Sequence, residues 1–128
     1  SANLNIVNKL FEQSRNLEKD LGIESVRKPE EFRMSQATSQ YKLIYNQFPD
    51  SDRAAEARYR VGMIEWRYGK DYKKAKNTFS TLISDYPKSS WAEEARKAYE
   101  ELDREQATTR DKADETMKAL EERERRAP

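Results

Sequence analysis

Four side chains near the middle of the chain have the types and the spacing of a binding surface. Tyr59, Met63 and Trp66 recur at helical intervals, and Arg67 follows Trp66 directly. Aromatic residues and arginine supply much of the binding energy at protein interfaces. On a helix these residues share a face. That face would either anchor a segment of a partner or pack as core against the first two helices, and the sequence leaves both interpretations open.

The residue types that most often carry catalysis are missing. The chain has no histidine and no cysteine, which removes the commonest general base, the thiol nucleophile and the usual zinc ligands. Its three glycines are isolated, so no glycine-rich phosphate loop exists. Carboxylate pairs are plentiful, but charged helices contain them by default. We therefore expect no enzyme, no small-molecule substrate, no cofactor and no metal site.

The composition favours an elongated helical array over a compact sphere. Of the 128 residues, 35% are hydrophobic and 38% are charged, and the mean hydropathy is −1.19. Arrays of stacked helices tolerate such a composition because most of their residues face water. The thirteen aromatic residues argue against disorder. No apolar run approaches the length of a membrane span.

Apolar periodicity and the positions of glycine and proline predict five helices. Gly22 is a natural C-cap for the first helix, and residues 22–28 are expected to be a connector. Pro29 suits the first turn of the second helix, and Pro49 and Pro87 are expected to end the second and fourth helices. The predicted helices are 3–21, 29–48, 53–68, 71–86 and a long one from Ser90 to Ala127.

The clearest signal is an internal repeat with a shift of 38 residues. Phe-Pro-Asp-Ser at 48–51 returns as Tyr-Pro-Lys-Ser at 86–89. One unit is therefore a helix, a short turn, a second helix and a proline break. Ser51, Asp52 and Ser90 are candidate caps for the helices that follow. The same shift relates Ala37 to Ala75, Tyr41 to Phe79, Ile44 to Leu82, Ala54 to Ala92, Glu56 to Glu94, Ala57 to Ala95 and Arg58 to Arg96.

This unit resembles the tetratricopeptide repeat (TPR) over residues 34–102. The resemblance rests on the patterns Val61-Gly62…Ala75-x3-Phe79…Pro87 and Ala37-x3-Tyr41…Pro49. It implies an all-α fold: a short TPR-like α-α superhelix of two helical hairpins with a long C-terminal helix. In the family, the first helix of each unit lines a groove that holds a peptide. Carried onto this chain, the groove would be lined by Glu56, Tyr59, Met63, Trp66 and Arg67.

The chain departs from the family pattern at several points, among them Arg58 where the family often has Trp and Glu65 where it often has Tyr. Its shift of 38 residues exceeds the usual spacing of about 34. Glu100 stands where the third unit would need a close-packing glycine, so we expect residue 91 onward to be a capping helix. The predicted organisation is a TPR-like domain over 1–102 and a charged helical extension over 103–128.

The sequence around Pro87 is similar to that of TPR units in bacterial envelope proteins. Examples of this subgroup are the outer-membrane assembly lipoprotein and the periplasmic coordinator associated with the Tol–Pal system. Trp-Ala-Glu-Glu-Ala-Arg at 91–96 follows the proline turn. The sequence begins at Ser1, so a signal peptide or lipid anchor would lie upstream. The resemblance implies a periplasmic or outer-membrane location and a role in envelope assembly.

The sequence leaves two alternatives to a peptide-binding scaffold open. Residues 53–90 carry nine Lys or Arg against four Asp or Glu, which would suit an acidic surface or nucleic acid, although no nucleic-acid motif accompanies them. Residues 103–126 could form a short coiled-coil seam through Gln106, Thr109, Ala113, Met117 and Leu120, which would make the chain a self-associating structural module. We favour a protein or peptide partner over nucleic acid, and the oligomeric state stays open.

Overall fold

The computed structural model describes residues 2–19 and 27–127, and this part of the chain contains helices and no strand. The helices are α1 (Ala2–Lys19), α2 (Arg27–Gln47), α3 (Ala54–Met63), α4 (Tyr72–Asp85) and α5 (Ser90–Arg126). A π-helical segment, Ile64–Tyr68, continues α3 without a break. No helix in the described ranges is long and apolar enough to cross a membrane.

The helix boundaries agree with the sequence prediction to within about two residues where the structure describes them. Gly22 and residues 22–26 of the expected connector lie outside the described ranges. Arg27 and Lys28 are already helical, so α2 begins two residues before Pro29. The proline is tolerated there because the first-turn N–H groups have no partner within the helix.

The helix caps differ from those expected. Arg53 is the N-cap residue of α3 and makes no side-chain cap, while Ser51 Oγ accepts a hydrogen bond from the Arg53 N–H at 3.1 Å. Ser89, rather than Ser90, caps α5 by accepting from the Trp91 N–H at 3.1 Å. Both serines follow their proline by two residues, so the repeat places them alike.

Two apolar clusters stabilise the array, and α3 stands between them. The first cluster joins α1 and α2 to one face of α3. The second joins the opposite face of α3 to α4 and α5. Fully burying a large apolar side chain contributes about 1.5–3 kcal/mol. The largest fully buried apolar side chains are Trp66, Tyr41, Phe11, Phe79, Ile44, Leu82, Leu102, Val7 and Val61.

Helices α3 and α4 approach closely at Gly62. A Cβ atom added to Gly62 would lie 2.5 Å from Cε1 of Phe79, whose side chain is fully buried. The missing side chain at Gly62 therefore sets the distance between the two helices of this hairpin. The turn that follows is held by Lys70, which has a φ of 52°, and by Asp71, whose Oδ1 accepts from the Lys74 N–H at 3.1 Å.

The last part of α5 leaves the packed array. Leu102 is buried, Glu105 and Gln106 are half-buried, and every side chain from Ala107 to Ala127 is exposed. The helix is nevertheless continuous from Ser90 to Arg126. The division at residue 102 into a domain and an extension stays a prediction.

Candidate interaction surface

One side of α3 and of its π-helical continuation lies between α1 and α5; we call it the α3 stripe, formed by Glu56, Arg60, Met63 and Arg67. The guanidinium of Arg60 lies 5.9 Å from the ring centre of Phe11 on α1. Arg67 Nη2 lies 3.5 Å from Glu101 Oε1 on α5. The stripe is therefore flanked by a helix on each side and is the best candidate for an interaction surface.

Glu56 lies at the buried end of this stripe. The residue is 8% exposed and sits between two guanidinium groups. Its Oε1 lies 3.1 Å from Arg53 Nη1, and its Oε2 lies 3.1 Å from Arg60 Nη2. A buried carboxylate is stabilised by such paired and hydrogen-bonded cations. The carboxylate of Glu56 thus holds Arg60 in place, and little of its surface is accessible to a partner.

Tyr59 and Met63 are half-buried and pack against the second apolar cluster. The ring of Tyr59 lies 5.2 Å from that of Trp91 and 5.9 Å from that of Phe79, centre to centre. Burial raises the pKa of Tyr59, and the charge of Glu94 raises it further, while Arg60 and Arg67 lower it. The phenol therefore lies in the field of charges from both α3 and α5.

Trp66 is closed to solvent, with an exposed fraction of 1%. Its indole Nε1–H donates to Glu105 Oε2 at 2.5 Å, and the guanidinium of Arg67 covers its ring at 3.9 Å from the ring centre. The side chain of Arg67 is itself 54% exposed. A cation–π contact of this kind contributes about 0.5–2 kcal/mol and holds the guanidinium against the ring. Of the five predicted site residues, Arg67 is the one most open to a partner.

The structure thus differs from the sequence expectation in what surrounds these side chains. We expected the face carrying Tyr59, Met63 and Trp66 to be open to a partner or packed on the first two helices. It packs instead on α4 and α5, because α3 is covered on both sides. Glu56 and Trp66 support their neighbours rather than face a groove. The partner-binding role of the five residues stays a prediction.

Several basic residues of α3 and α4 are paired with carboxylates. Arg58 Nη1 lies 2.6 Å from Asp85 Oδ2, and Lys76 Nζ lies 2.6 Å from Asp103 Oδ1. The Lys76 ammonium lowers the pKa of Asp103 by donating this hydrogen bond. Carboxylates of α5 pair with Arg67, Lys70 and Lys76, so part of the excess charge of residues 53–90 is offset within the fold.

Two residues that contact this surface were not identified from the sequence. Glu101 and Glu105 on α5 contact Arg67 and Trp66, thirty-four and thirty-nine residues away along the chain. Their spacing of four residues places them on one helical face, which is the only signal the sequence offers. The described residues contain no group of three or more acidic side chains that could hold a metal ion.

Comparison with known proteins gives one match. Residues 56–89 match the family model described as "Tetratricopeptide repeat". No curated protein and no solved structure matches the chain. The matched residues run from the first turn of α3 to the cap of α5, so α3 and α4 form one repeat unit. Such repeats generally mediate interactions between proteins. The match and the helical architecture confirm the predicted fold class: the chain has an all-α, TPR-like fold.

Proposed function

We propose that the chain is a protein–protein interaction scaffold that binds a segment of a partner along the α3 stripe. The observation that carries this proposal is the placement of Arg67. Its guanidinium is fixed over the Trp66 ring at 3.9 Å, yet more than half of the side chain is exposed. A cation held in one orientation loses little conformational entropy when a partner binds.

The chemistry of the stripe indicates what the partner segment carries. Glu101 is 58% exposed where it meets Arg67, and exposed ion pairs of this kind contribute little stability. A carboxylate of the partner can therefore compete for Arg67 at small cost. The exposed edges of Tyr59 and Met63 offer an apolar contact beside it. We propose an extended or helical segment with an acidic residue next to an apolar one.

We further propose that this interaction belongs to bacterial envelope assembly, in the periplasm or at the outer membrane. The support for this step is the resemblance of residues 86–96 to TPR units of bacterial envelope proteins. The chain would then be one part of a lipid-anchored or periplasmic protein. Reading the codons upstream of Ser1 tests this step separately, because an envelope protein requires an export signal there.

Affinity capture from a lysate of the native host tests the binding proposal. We would compare the intact chain with Arg67→Glu, and use Lys73→Glu as the matched control, because Lys73 is exposed on α4. The proposal requires a protein that binds the intact chain and the control but is lost from Arg67→Glu. Equal capture by all three chains would contradict the placement of the site. Circular dichroism of each variant establishes that the helices remain.

A further inference from the structure

The exposed end of α5, residues 107–126, is long and helical but packs against nothing in the described part of the chain. Its twenty residues extend about 30 Å at 1.5 Å per residue. Met117 is 56% exposed and Leu120 is 47% exposed. A solvated helix of this length has no need of a regular apolar stripe, so the spacing of its apolar residues calls for an explanation.

That spacing continues the internal repeat. In α2 and α4 the buried face is formed by an alanine, an aromatic residue four positions later and an aliphatic residue three positions after that. A third copy of the pattern occurs in α5 after another shift of 38 residues, with methionine in place of the aromatic residue. The three sets are Ala37, Tyr41 and Ile44; Ala75, Phe79 and Leu82; and Ala113, Met117 and Leu120.

Polar contacts of the second unit also have counterparts at this shift. Thr78 Oγ1 donates to Glu65 Oε1 at 2.5 Å, joining α4 to the end of α3. The equivalent positions are Thr116 and Asp103, again a hydroxyl and a carboxylate. We expected residue 91 onward to be a capping helix only. The register of the sequence also fits an α5 that contains both helices of a third unit, joined end to end.

The close approach of Gly62 and Phe79 has a counterpart in the third copy of the pattern, where both residues differ. The equivalent residues are Glu100 and Met117. A glutamate at the position of Gly62 fills the space that a phenylalanine ring would need. Methionine is unbranched and adapts to irregular gaps, so it can lie beside the aliphatic part of Glu100 where a rigid ring cannot. The two changes together preserve the possibility of contact.

The chain does not fold back to make this contact itself. The turn between α3 and α4 needs Lys70 in the left-handed region, with a φ of 52°. The equivalent residue is Thr108, and a β-branched side chain strongly disfavours that conformation. Instead, the hydroxyls of Thr108 and Thr109 donate to the carbonyls of Arg104 and Glu105 at 3.0 Å within a continuous helix. Met117 is then about 26 Å from Glu100 along the same helix.

A vacant cleft marks where the missing helix would lie. It has a volume of about 250 Å³ between α4 and α5 and is lined by Ser80, Ile83, Arg96, Tyr99 and Glu100. One repeat earlier, the residues equivalent to Arg96 and Glu100 are covered by α4: Arg58 pairs with Asp85 at 2.6 Å, and Gly62 contacts Phe79. The cleft therefore lies where the second helix of a third unit would pack.

We propose that the exposed end of α5 from a second copy of the chain occupies this cleft and completes the third repeat. The repeat register indicates the occupant. Ala113, Met117 and Leu120 of the exposed end are equivalent to Ala75, Phe79 and Leu82 of α4, the helix that covers the corresponding surface one repeat earlier. A hinge that resists a tight turn favours such an exchange between copies over folding back. This association uses the cleft between α4 and α5 and does not depend on the α3 stripe.

One residue limits the strength of this association. Arg123 stands at the position equivalent to Asp85, so it would face Arg96 of the other copy and repel it. We expect a weak complex that becomes tighter when the charge is reversed. Arg123→Asp restores the charges of the Arg58–Asp85 pair and is expected to lower the dimer Kd by about tenfold.

Disulfide trapping tests the proposal directly, because the chain has no cysteine of its own. Glu100 and Met117 are both exposed, so single variants Glu100→Cys and Met117→Cys keep the core intact. Mixed in a glutathione redox buffer, the two chains are expected to form a covalent heterodimer in excess of either homodimer. Glu115→Cys replaces Met117→Cys in the control, because it lies on the opposite side of the helix, and it is expected to give no such excess.

Each other result overturns the proposal in a recognisable way. A Met117→Cys homodimer in excess would mean that two exposed ends pair with each other as a coiled coil. A crosslinked monomer of the double variant Glu100→Cys/Met117→Cys would mean that the chain folds back on itself. Absence of every crosslink at the highest soluble concentration would mean that the cleft is not a docking site for this helix.

Discussion

The indole Nε1–H of Trp66 donates a hydrogen bond to Glu105 Oε2 at 2.5 Å, joining residues thirty-nine positions apart. This bond ties the π-helical end of α3 to α5 just before α5 leaves the packed array. It also satisfies the polar group of a side chain that is only 1% exposed. Because Arg67 lies on the same ring, the bond indirectly positions the most exposed cation of the α3 stripe.

Removing the acceptor should destabilise the fold. Glu105→Ala leaves a buried indole N–H without a partner, and we expect a loss of about 1–3 kcal/mol in the free energy of unfolding. Glu105→Gln retains a carbonyl oxygen and should lose less. Urea denaturation followed by Trp fluorescence measures both variants. Equal stability of Glu105→Ala and the parent chain would show that this hydrogen bond contributes nothing.

The contact between Gly62 and Phe79 predicts a steric penalty. Gly62→Ala places a Cβ atom 2.5 Å from a ring carbon of Phe79, so the helices must separate. We expect a net loss of about 1–3 kcal/mol despite the better helix propensity of alanine. Adding Phe79→Leu should recover part of the loss by vacating the space. A double variant no more stable than the sum of the single losses would argue against this contact as the cause.

The turn residue Lys70 predicts a stabilising substitution. Its φ of 52° is unfavourable for any residue with a Cβ atom. Lys70→Gly should raise the free energy of unfolding by about 0.5–1 kcal/mol, because the released strain exceeds the extra entropy of the unfolded chain. Lys70→Ala keeps the strain and also lacks the ammonium, so it is the matched control. Thermal unfolding in which glycine and alanine behave alike would contradict this reasoning.

The half-buried phenol of Tyr45 predicts a loss of stability in alkali. Burial raises its pKa from 10.0 to about 12, against the lowering effect of Arg58, whose guanidinium lies 4.5 Å from the ring centre. The folded state therefore keeps the phenol protonated where the unfolded chain ionises it. This contribution is fully present below pH 10 and is lost as the pH rises toward 12.

Urea midpoints measured across this pH range test the assignment. The midpoint of Tyr45→Phe should fall less steeply than that of the parent chain, because phenylalanine has no phenol to ionise. Parallel curves for the two proteins would assign the alkaline loss to other groups, such as Tyr86, whose pKa is also raised by burial.

The helices and the repeat were largely predictable from the sequence because they rest on local signals. Pro49 and Pro87 end their helices whatever surrounds them. The periodic residues Ala75, Phe79 and Leu82 identify a buried face without reference to any partner helix. The TPR-like fold was implied by the resemblance of this pattern to the tetratricopeptide repeat.

The environment of the predicted site was not predictable, for a physical reason. Tyr59, Met63 and Trp66 show that α3 has an apolar face, but periodicity alone does not state which neighbour covers it. The covering helices are α4 and α5, and the fixing contacts of Trp66 and Arg67 come from Glu105 and Glu101. Those contacts depend on how two distant segments pack, which a single sequence does not reveal.

The π-helical segment at Ile64–Tyr68 was also not foreseen. The Gly69 N–H bonds to the Ile64 carbonyl at 2.9 Å, which widens the last turn by one residue. The residues of this segment have no composition that distinguishes them from an ordinary helix. We predicted a helix ending near Gly69, and the helix does end there. The residue in the left-handed region is Lys70.

Site-specific photocrosslinking tests whether a partner protein binds along the α3 stripe. A photoreactive amino acid would replace Met63 on the stripe in one chain and Asn77 on the exposed surface of α4 in another. Both chains would be exposed to lysate of the native host. We expect a discrete crosslinked partner from position 63 and none from position 77. A partner captured from position 77 but not from position 63 would contradict binding along the α3 stripe.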